Sequence, residues 1–286
     1  MRDEPGRAAC DRVVRRLLSL PIAALAFCGA LRSVPSAASE GSGVYAASAS
    51  TSTGMPWGGK LSRPARLRAS ATLRHMPHCA ASGHFFGTSE LVALLERTGT
   101  AIAARFPGSQ LSVGELSARD GGRLEGHHSH QTGRDADIAF FMSDARGRSQ
   151  TFRRFVAFGF DGVGKNTPRP LYFDDARNWA LISSMLRDPH ARLQYAFVAK
   201  PIRARLLMEG RRRGERDELL RAAAAVMVEP KQGNKHTNHF HVRIFCARDD
   251  RPQCQDTEPY WPWYDGTPPG GVFAQLPQIR WQPQSG

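Results

Sequence analysis

Six of the ten histidines lie in two short windows, HHSHQTGRDAD over residues 127–137 and KHTNHFHVR over residues 235–243. Histidine serves both as metal ligand and as proton carrier near neutral pH. Two such clusters, far apart in the chain, act together only in a fold that sets them side by side. The second window runs into NHFHVRIF (238–245), whose polar and apolar residues alternate with the period of a half-buried strand. On that strand His239, His241 and Arg243 share one face, while Phe240, Val242 and Ile244 face the core. An HxH pair by itself reads equally well as two surface histidines.

The first window leads into ADIAFFM (136–142), a buried strand by composition. Asp135 and Asp137 point to one face of it, Ile138 and Phe140 to the other, and Gly133 lets the preceding chain turn back sharply. A carboxylate inside an apolar strand is costly unless it is paired or binds a metal. Taken together, the windows offer His130, Asp137 and His241. Two imidazoles, one carboxylate and an open fourth position describe a catalytic zinc site. The same donors suit iron(II), but oxygenase sites usually carry a histidine and a carboxylate one residue apart, and neither window contains HxD or HxE. No CxxC occurs, so a cysteine-rich structural zinc site lacks ligands.

The rest of the chain supplies a frame. Its 286 residues suffice for one large domain or two small ones. Residues 1–39 combine a basic front, an apolar run from Leu17 to Leu31 and a small-residue exit, the pattern of a secretory signal peptide. The run is too short to span a bilayer, and no later stretch is long and apolar enough, so no stable membrane span is expected after signal removal. The expected location is the periplasm or the secreted fraction. Residues 40–55 read as a flexible linker, 56–255 as one catalytic domain and 256–286 as an irregular tail rich in Pro, Trp and Gln. Thr88 or Ser89 can cap a helix that stops at Pro107-Gly108, and Asp174 or Asp175 one that runs to about Arg187. Further helices are expected over 201–210 and 215–228, and strands over 111–116 and 194–199. Strands and helices mix without regular βαβ alternation, so the class is α+β: a mainly antiparallel sheet flanked by helices, with the zinc site on the sheet face.

The formal net charge is +13. Loss of residues 1–39 removes six arginines and three acids and leaves +10. Such a charge favours an anionic partner. Nucleic acid explains the charge alone and leaves the export signal, the His/Asp constellation and the lack of aromatic-basic interleaving unexplained. Arg203, Arg205 and Arg211 to Arg213 form a candidate contact face, though a solvated helix face explains them as well. Cys246 and Cys254 bracket a short polar loop and are expected to form a disulfide in an oxidising compartment, leaving Cys79 unpaired.

The window pair closely resembles the penicillin-insensitive murein endopeptidases, part of a broader metallopeptidase group that includes lysostaphin-type, D-Ala-D-Ala-type and hedgehog-type domains. The shared pattern is a histidine, an aspartate seven residues on, and a distant HxH, here His130, Asp137 and His239-Phe240-His241. His127, three residues before the first ligand, His236, three before the HxH, and Cys246, five after the last ligand, match the endopeptidase branch. Cys79 departs from it in lacking a late cysteine partner. The resemblance spans about residues 56–255.

It implies that His130, Asp137 and His241 bind zinc, and that His239 takes a proton from water and passes it to the leaving amine. His127 and His236 would border the site as oxyanion-stabilising or orienting residues, and a second metal near His127 stays open. The implied partner is peptidoglycan and the implied bond the D-alanyl to meso-diaminopimelyl crosslink. β-Lactams acylate a serine, and no SxxK arrangement is present. A zinc D,D- or L,D-carboxypeptidase shares every ligand, and a zinc-stabilised wall-binding module without turnover is the alternative from another class. Oligomeric state is not legible.

Overall fold

The computed structural model describes residues 50–279. The expected signal peptide (1–39) and most of the linker lie outside them. In chain order the strands and helices are β1 (Thr51–Met55), β2 (Gly58–Ser62), β3 (Ala65–Arg66), β4 (Leu73–His75), β5 (Phe86–Gly87), α1 (Ser89–Arg105), β6 (Leu111–Val113), β7 (Asp135–Ala139), β8 (Met142–Ser143), β9 (Ser149–Gln150), β10 (Tyr172–Phe173), α2 (Asp175–Leu186), β11 (Leu193–Phe197), α3 (Lys200–Arg212), α4 (Asp217–Val226) and β12 (His239–Ile244). A five-stranded sheet of order β11-β12-β7-β6-β4 forms the centre. Its pairs are antiparallel apart from β4 with β6. The α+β class and the antiparallel-rich sheet are as the sequence implied.

Capping follows the side chains. Thr88 Oγ1 accepts from the Leu91 N–H to start α1, and Asp174 Oδ1 accepts from the Arg177 N–H to start α2. The fully buried Trp179 on α2 sits among α2, α3 and α4, with its indole N–H donating to Glu215 Oε1 at 3.1 Å. Ile138, Phe240, Val242 and Ile244 join these helix side chains in one apolar core. Period-two alternation therefore assigns one face of β7 and β12 to the helices and leaves Asp135, Asp137, His239, His241 and Arg243 on the other.

The linker expected over 40–55 ends sooner. Residues 51–55 are β1, paired with β2 across a tight turn. The strand is held from far away: the Ser52 N–H donates to Asp250 Oδ2 at 2.8 Å and the Gly54 N–H to the Gln253 carbonyl at 2.8 Å. Cys246 and Cys254 are disulfide-bonded, and Cys79 is a buried free thiol. The arginine patch is largely neutralised within the helices. Arg205 pairs with Asp175, Arg212 and Arg213 both pair with Glu209, and Arg203 donates to the Ala224 carbonyl.

The tail is irregular up to residue 279 apart from one short helical turn, and it covers the exposed edge of β11. Gln194 Nε2 donates to the Thr257 carbonyl, and the indoles of Trp261 and Trp263 donate to the carbonyls of Gln194 and Leu193, each at 2.7–2.8 Å. An unpaired strand edge is thereby closed. The start of the tail is pinned by Arg134, whose guanidinium is buried and donates to Asp256 Oδ1 (2.8 Å) and to the carbonyls of Ile244 and Gln255. Arg134→Met would leave Asp256 buried with only Arg251, 3.6 Å away, as a counter-charge. The expected loss is about 3 kcal/mol of unfolding free energy, read as a lowered urea midpoint at unchanged slope.

Candidate metal centre

β7 and β12 pair so that His241 stands directly opposite Asp137 and Arg243 opposite Asp135. His130 arrives from the loop before β7, where it takes a positive φ of 68° and Gly133 one of 74°. That loop is held by Ser117, whose hydroxyl donates to the His130 carbonyl and accepts from the Gly133 N–H. A Cβ at Gly133 would stand 2.7 Å from the Leu61 side chain, so the turn requires glycine.

Four imidazoles converge on the Asp137 carboxylate. His130 Nε2 and His239 Nε2 lie 3.4 Å from Oδ1, and His241 Nδ1 lies 3.5 Å from it. His127 Nδ1 approaches the other oxygen, Oδ2, at 3.9 Å. In each ring the second nitrogen is committed elsewhere. His130 Nδ1 meets the Leu116 carbonyl (2.5 Å), His241 Nε2 meets Asp135 Oδ1 (2.7 Å), His127 Nε2 meets Glu115 Oε2 (2.8 Å) and His239 Nδ1 meets Asn238 Oδ1 (2.7 Å). When those nitrogens donate, the four remaining lone pairs all point inward. A histidine whose outer N–H is anchored to a carbonyl or carboxylate is the usual form of a metal ligand.

The residues fit a metal ion. Among the described residues, His130 Nε2 and Asp137 Oδ1 are buried and face each other at 3.4 Å without a hydrogen bond to any group, an arrangement that a cation between them would satisfy. Two ligands each about 2.0–2.1 Å from a tetrahedral ion stand about 3.3–3.4 Å apart, and His130, His239 and His241 each stand 3.4–3.5 Å from Asp137 Oδ1. His127, His130 and Asp137 also form a group whose ligand atoms lie within 4.8 Å of one another. His127, expected at the border of the site, is thus close enough to be a ligand, on the Oδ2 side of the carboxylate.

Burial opposes ionisation of Asp137, but His239 and His130, when protonated, outweigh it and hold the carboxyl well below its usual range. Asp135 is fully buried too, and there Arg243 and His241 outweigh burial and keep it ionised. His236 is pushed down to about 3 by burial and by its neighbours His239 and His241, so it is neutral at ordinary pH. It meets both rings edge-on, at centroid distances of 4.9 and 5.4 Å, and its Nδ1 is buried with no hydrogen-bond partner among the described residues. Phe155 stacks on His239 at 4.5 Å. That approach depends on Gly114, where a Cβ would stand 2.6 Å from the Phe155 ring.

The centre floors a cleft of about 860 Å³, whose walls include Trp57, His128, Tyr195, Phe197 and Glu258. All six residues singled out in the sequence, His127, His130, Asp137, His236, His239 and His241, line it or lie directly beneath it. Sequence reasoning gave no role to Glu115, whose carboxylate holds both His127 and His84, or to Asp135, which holds His241. Asp135 was findable, since it shares the strand face of Asp137. Glu115 sits in a stretch with no local signal beyond strand character.

Residues 79–267 match the family model described as penicillin-insensitive murein endopeptidase. Proteins of that name from Haemophilus influenzae and Escherichia coli K12 are similar to this chain, at 29% identity over 205 residues and 28% over 184. These matches take in 65% and 64% of this chain, and the chain spans 64% and 61% of those relatives' own length.

The anchoring of His241 generates a test that needs no turnover. Asp135→Asn keeps the shape but removes the charge that orients the ring. Affinity for a divalent transition metal should fall about 10- to 100-fold, measured by competition with a chromogenic chelator. Unchanged affinity would mean that His241 is not a ligand.

Proposed function

The chain belongs to the penicillin-insensitive murein endopeptidase family, and on that ground we propose that it is a zinc-dependent peptidoglycan hydrolase cleaving D-alanyl-meso-diaminopimelyl crosslinks. The observation that supports the zinc reading is the convergence of His130 Nε2 and His241 Nδ1 on Asp137 Oδ1, at 3.4 and 3.5 Å. His130 Nε2, Asp137 Oδ1 and His241 Nδ1 would hold the ion. When bound, zinc polarises a carbonyl and brings the pKa of a water from about 15.7 toward about 7.

The other residues have definite tasks. His239 donates from Nδ1 to Asn238, which leaves Nε2 to take the proton from the attacking water and return it to the departing amine. Phe155 holds that ring in plane by stacking. His236, neutral and edge-on to His239 and His241, would border the site as an orienting residue, and His127 would border the opposite side of the carboxylate, fixed by Glu115. None of these steps uses a serine nucleophile, so β-lactams have nothing to acylate. We also propose that residues 1–39 direct export and are removed, that the enzyme works in the periplasm or beyond, and that residues 56–255 carry catalysis. No helix among the described residues is long and apolar enough to cross a membrane.

Zinc content and cleavage of a purified crosslinked muropeptide dimer, measured side by side, test the reading. His130→Ala, Asp137→Ala and His241→Ala should lose both metal and activity. His239→Ala should keep zinc and lose about 10²–10⁴-fold in rate, or about 3–5 kcal/mol of barrier. A chelator should abolish cleavage and benzylpenicillin should leave it intact. Full activity in His239→Ala would refute the proton-transfer role, and preferential trimming of uncrosslinked pentapeptide would make the enzyme a carboxypeptidase.

A further inference from the structure

Arg243 has no part in holding the metal, yet it is the one arginine or lysine among the residues lining the cleft. It is 6% exposed. Its Nε donates to Asp135 Oδ1 at 2.7 Å, and its guanidinium lies 5.8 Å from the centre of the Phe197 ring. These two contacts fix the plane of the group. Its terminal nitrogens hydrogen-bond to nothing among the described residues, and neither is sealed from solvent. The other buried arginine near this sheet, Arg134, is by contrast consumed by Asp256 and two carbonyls. A guanidinium carries five N–H donors in a rigid fork, and two parallel N–H groups match a carboxylate. What Arg243 presents to the cleft is therefore a fixed, preorganised carboxylate receptor.

Its position specifies which carboxylate. Arg243 follows His241 by two residues on the same strand face, about 7 Å along the strand. A carboxylate bound there lies within a few bonds of an amide carbonyl held at the metal centre. In the crosslink of the proposed reaction, the scissile nitrogen is attached to a carbon that itself bears a carboxylate, the D-centre of meso-diaminopimelate. The acyl side of the bond is a D-alanine residue, which places a methyl group and a peptide N–H at the corresponding distance and no carboxylate. We infer that Arg243 is a specificity-determining residue that binds the carboxylate adjacent to the scissile nitrogen on the leaving-group side. The inference rests on the endopeptidase reading and adds to it the feature by which the leaving amine is recognised. Asp135 then serves both halves of the site, since one oxygen, Oδ1, orients His241 for the metal and Arg243 for the substrate.

The test compares two crosslinked dimers that differ only in whether the D-centre carboxylate is free or amidated. The zinc-loaded protein should prefer the free acid by about 10- to 100-fold in kcat/KM, the range expected for charge-assisted hydrogen bonds, with most of the difference in KM. In Arg243→Gln the preference should collapse toward unity. Circular dichroism checks that this variant folds. If it does not, Arg243→Lys, which keeps a cation beside Asp135 but loses the fork, is read in the same comparison and should show at least a tenfold smaller preference. Equal cleavage of both dimers by the unaltered protein, or a preference that survives in the variants, overturns the assignment. Calorimetric binding of the two dimers to the zinc-loaded His239→Ala protein reads the same contrast without turnover. Absence of cleavage therefore counts against the endopeptidase reading, whereas equal binding counts against Arg243.

Discussion

The site depends on one buried carboxylate that stays ionised. Asp137 lies on a strand whose five residues are all buried, and an unpaired charge there would be prohibitive. It is tolerable because β12 pairs with β7 in a register that places His241 directly across from it, with His239 diagonal and His130 folded back over the strand. A one-residue slip of β7 or of β12 would turn Asp137, or His239 and His241, to the helix-covered face. The apolar partners Ile138, Phe240 and Val242 oppose such a slip, since they would have to leave the core. The core thus fixes the register, and the register fixes the ligand geometry.

That relation explains what could be read from the chain. The alternation of NHFHVRIF and the placing of Asp135 and Asp137 two apart at the start of the ADIAFFM strand carry the strand faces directly, so the shared faces of Asp137 and His241 were legible before any coordinates, and His130 was legible from the spacing of its window. Helix starts were legible for the same local reason, since Thr88 and Asp174 act within three residues of themselves. β1 was not legible, because TSTGM has no apolar alternation and its partners Asp250 and Gln253 lie at the other end of the chain. The arginine patch gave too strong a signal for the opposite reason: Asp175 and Glu209, which neutralise much of it, are distributed along α2 and α3. Glu115 and the closeness of His127 to Asp137 depend on the three-dimensional path of the chain and leave no periodic trace.

Nearly all of the donor geometry is set by groups that are not themselves donors. Leu116, Asp135, Glu115 and Asn238 each take one nitrogen of a histidine and so decide where the other lone pair points. Two of the four anchors are buried or half-buried carboxylates that keep their charge through several hydrogen bonds. An ion entering such a centre would meet rings already turned toward it, and little reorganisation would remain for the binding step.

The segments outside the two windows contribute rigidity and walls in place of ligands. The β1–β2 hairpin carries Trp57 to the rim of the cleft, where it stacks on His128 at 6.3 Å. The tail closes the β11 edge and brings Thr257 and Glu258 to the cleft near Tyr195. Both segments meet at the Cys246–Cys254 loop, through Gly54 on one side and Asp256 on the other. The disulfide therefore sits where the hairpin, the end of β12 and the tail converge, and tying that junction together holds both walls in place over the histidine–aspartate cluster that the central sheet has already built.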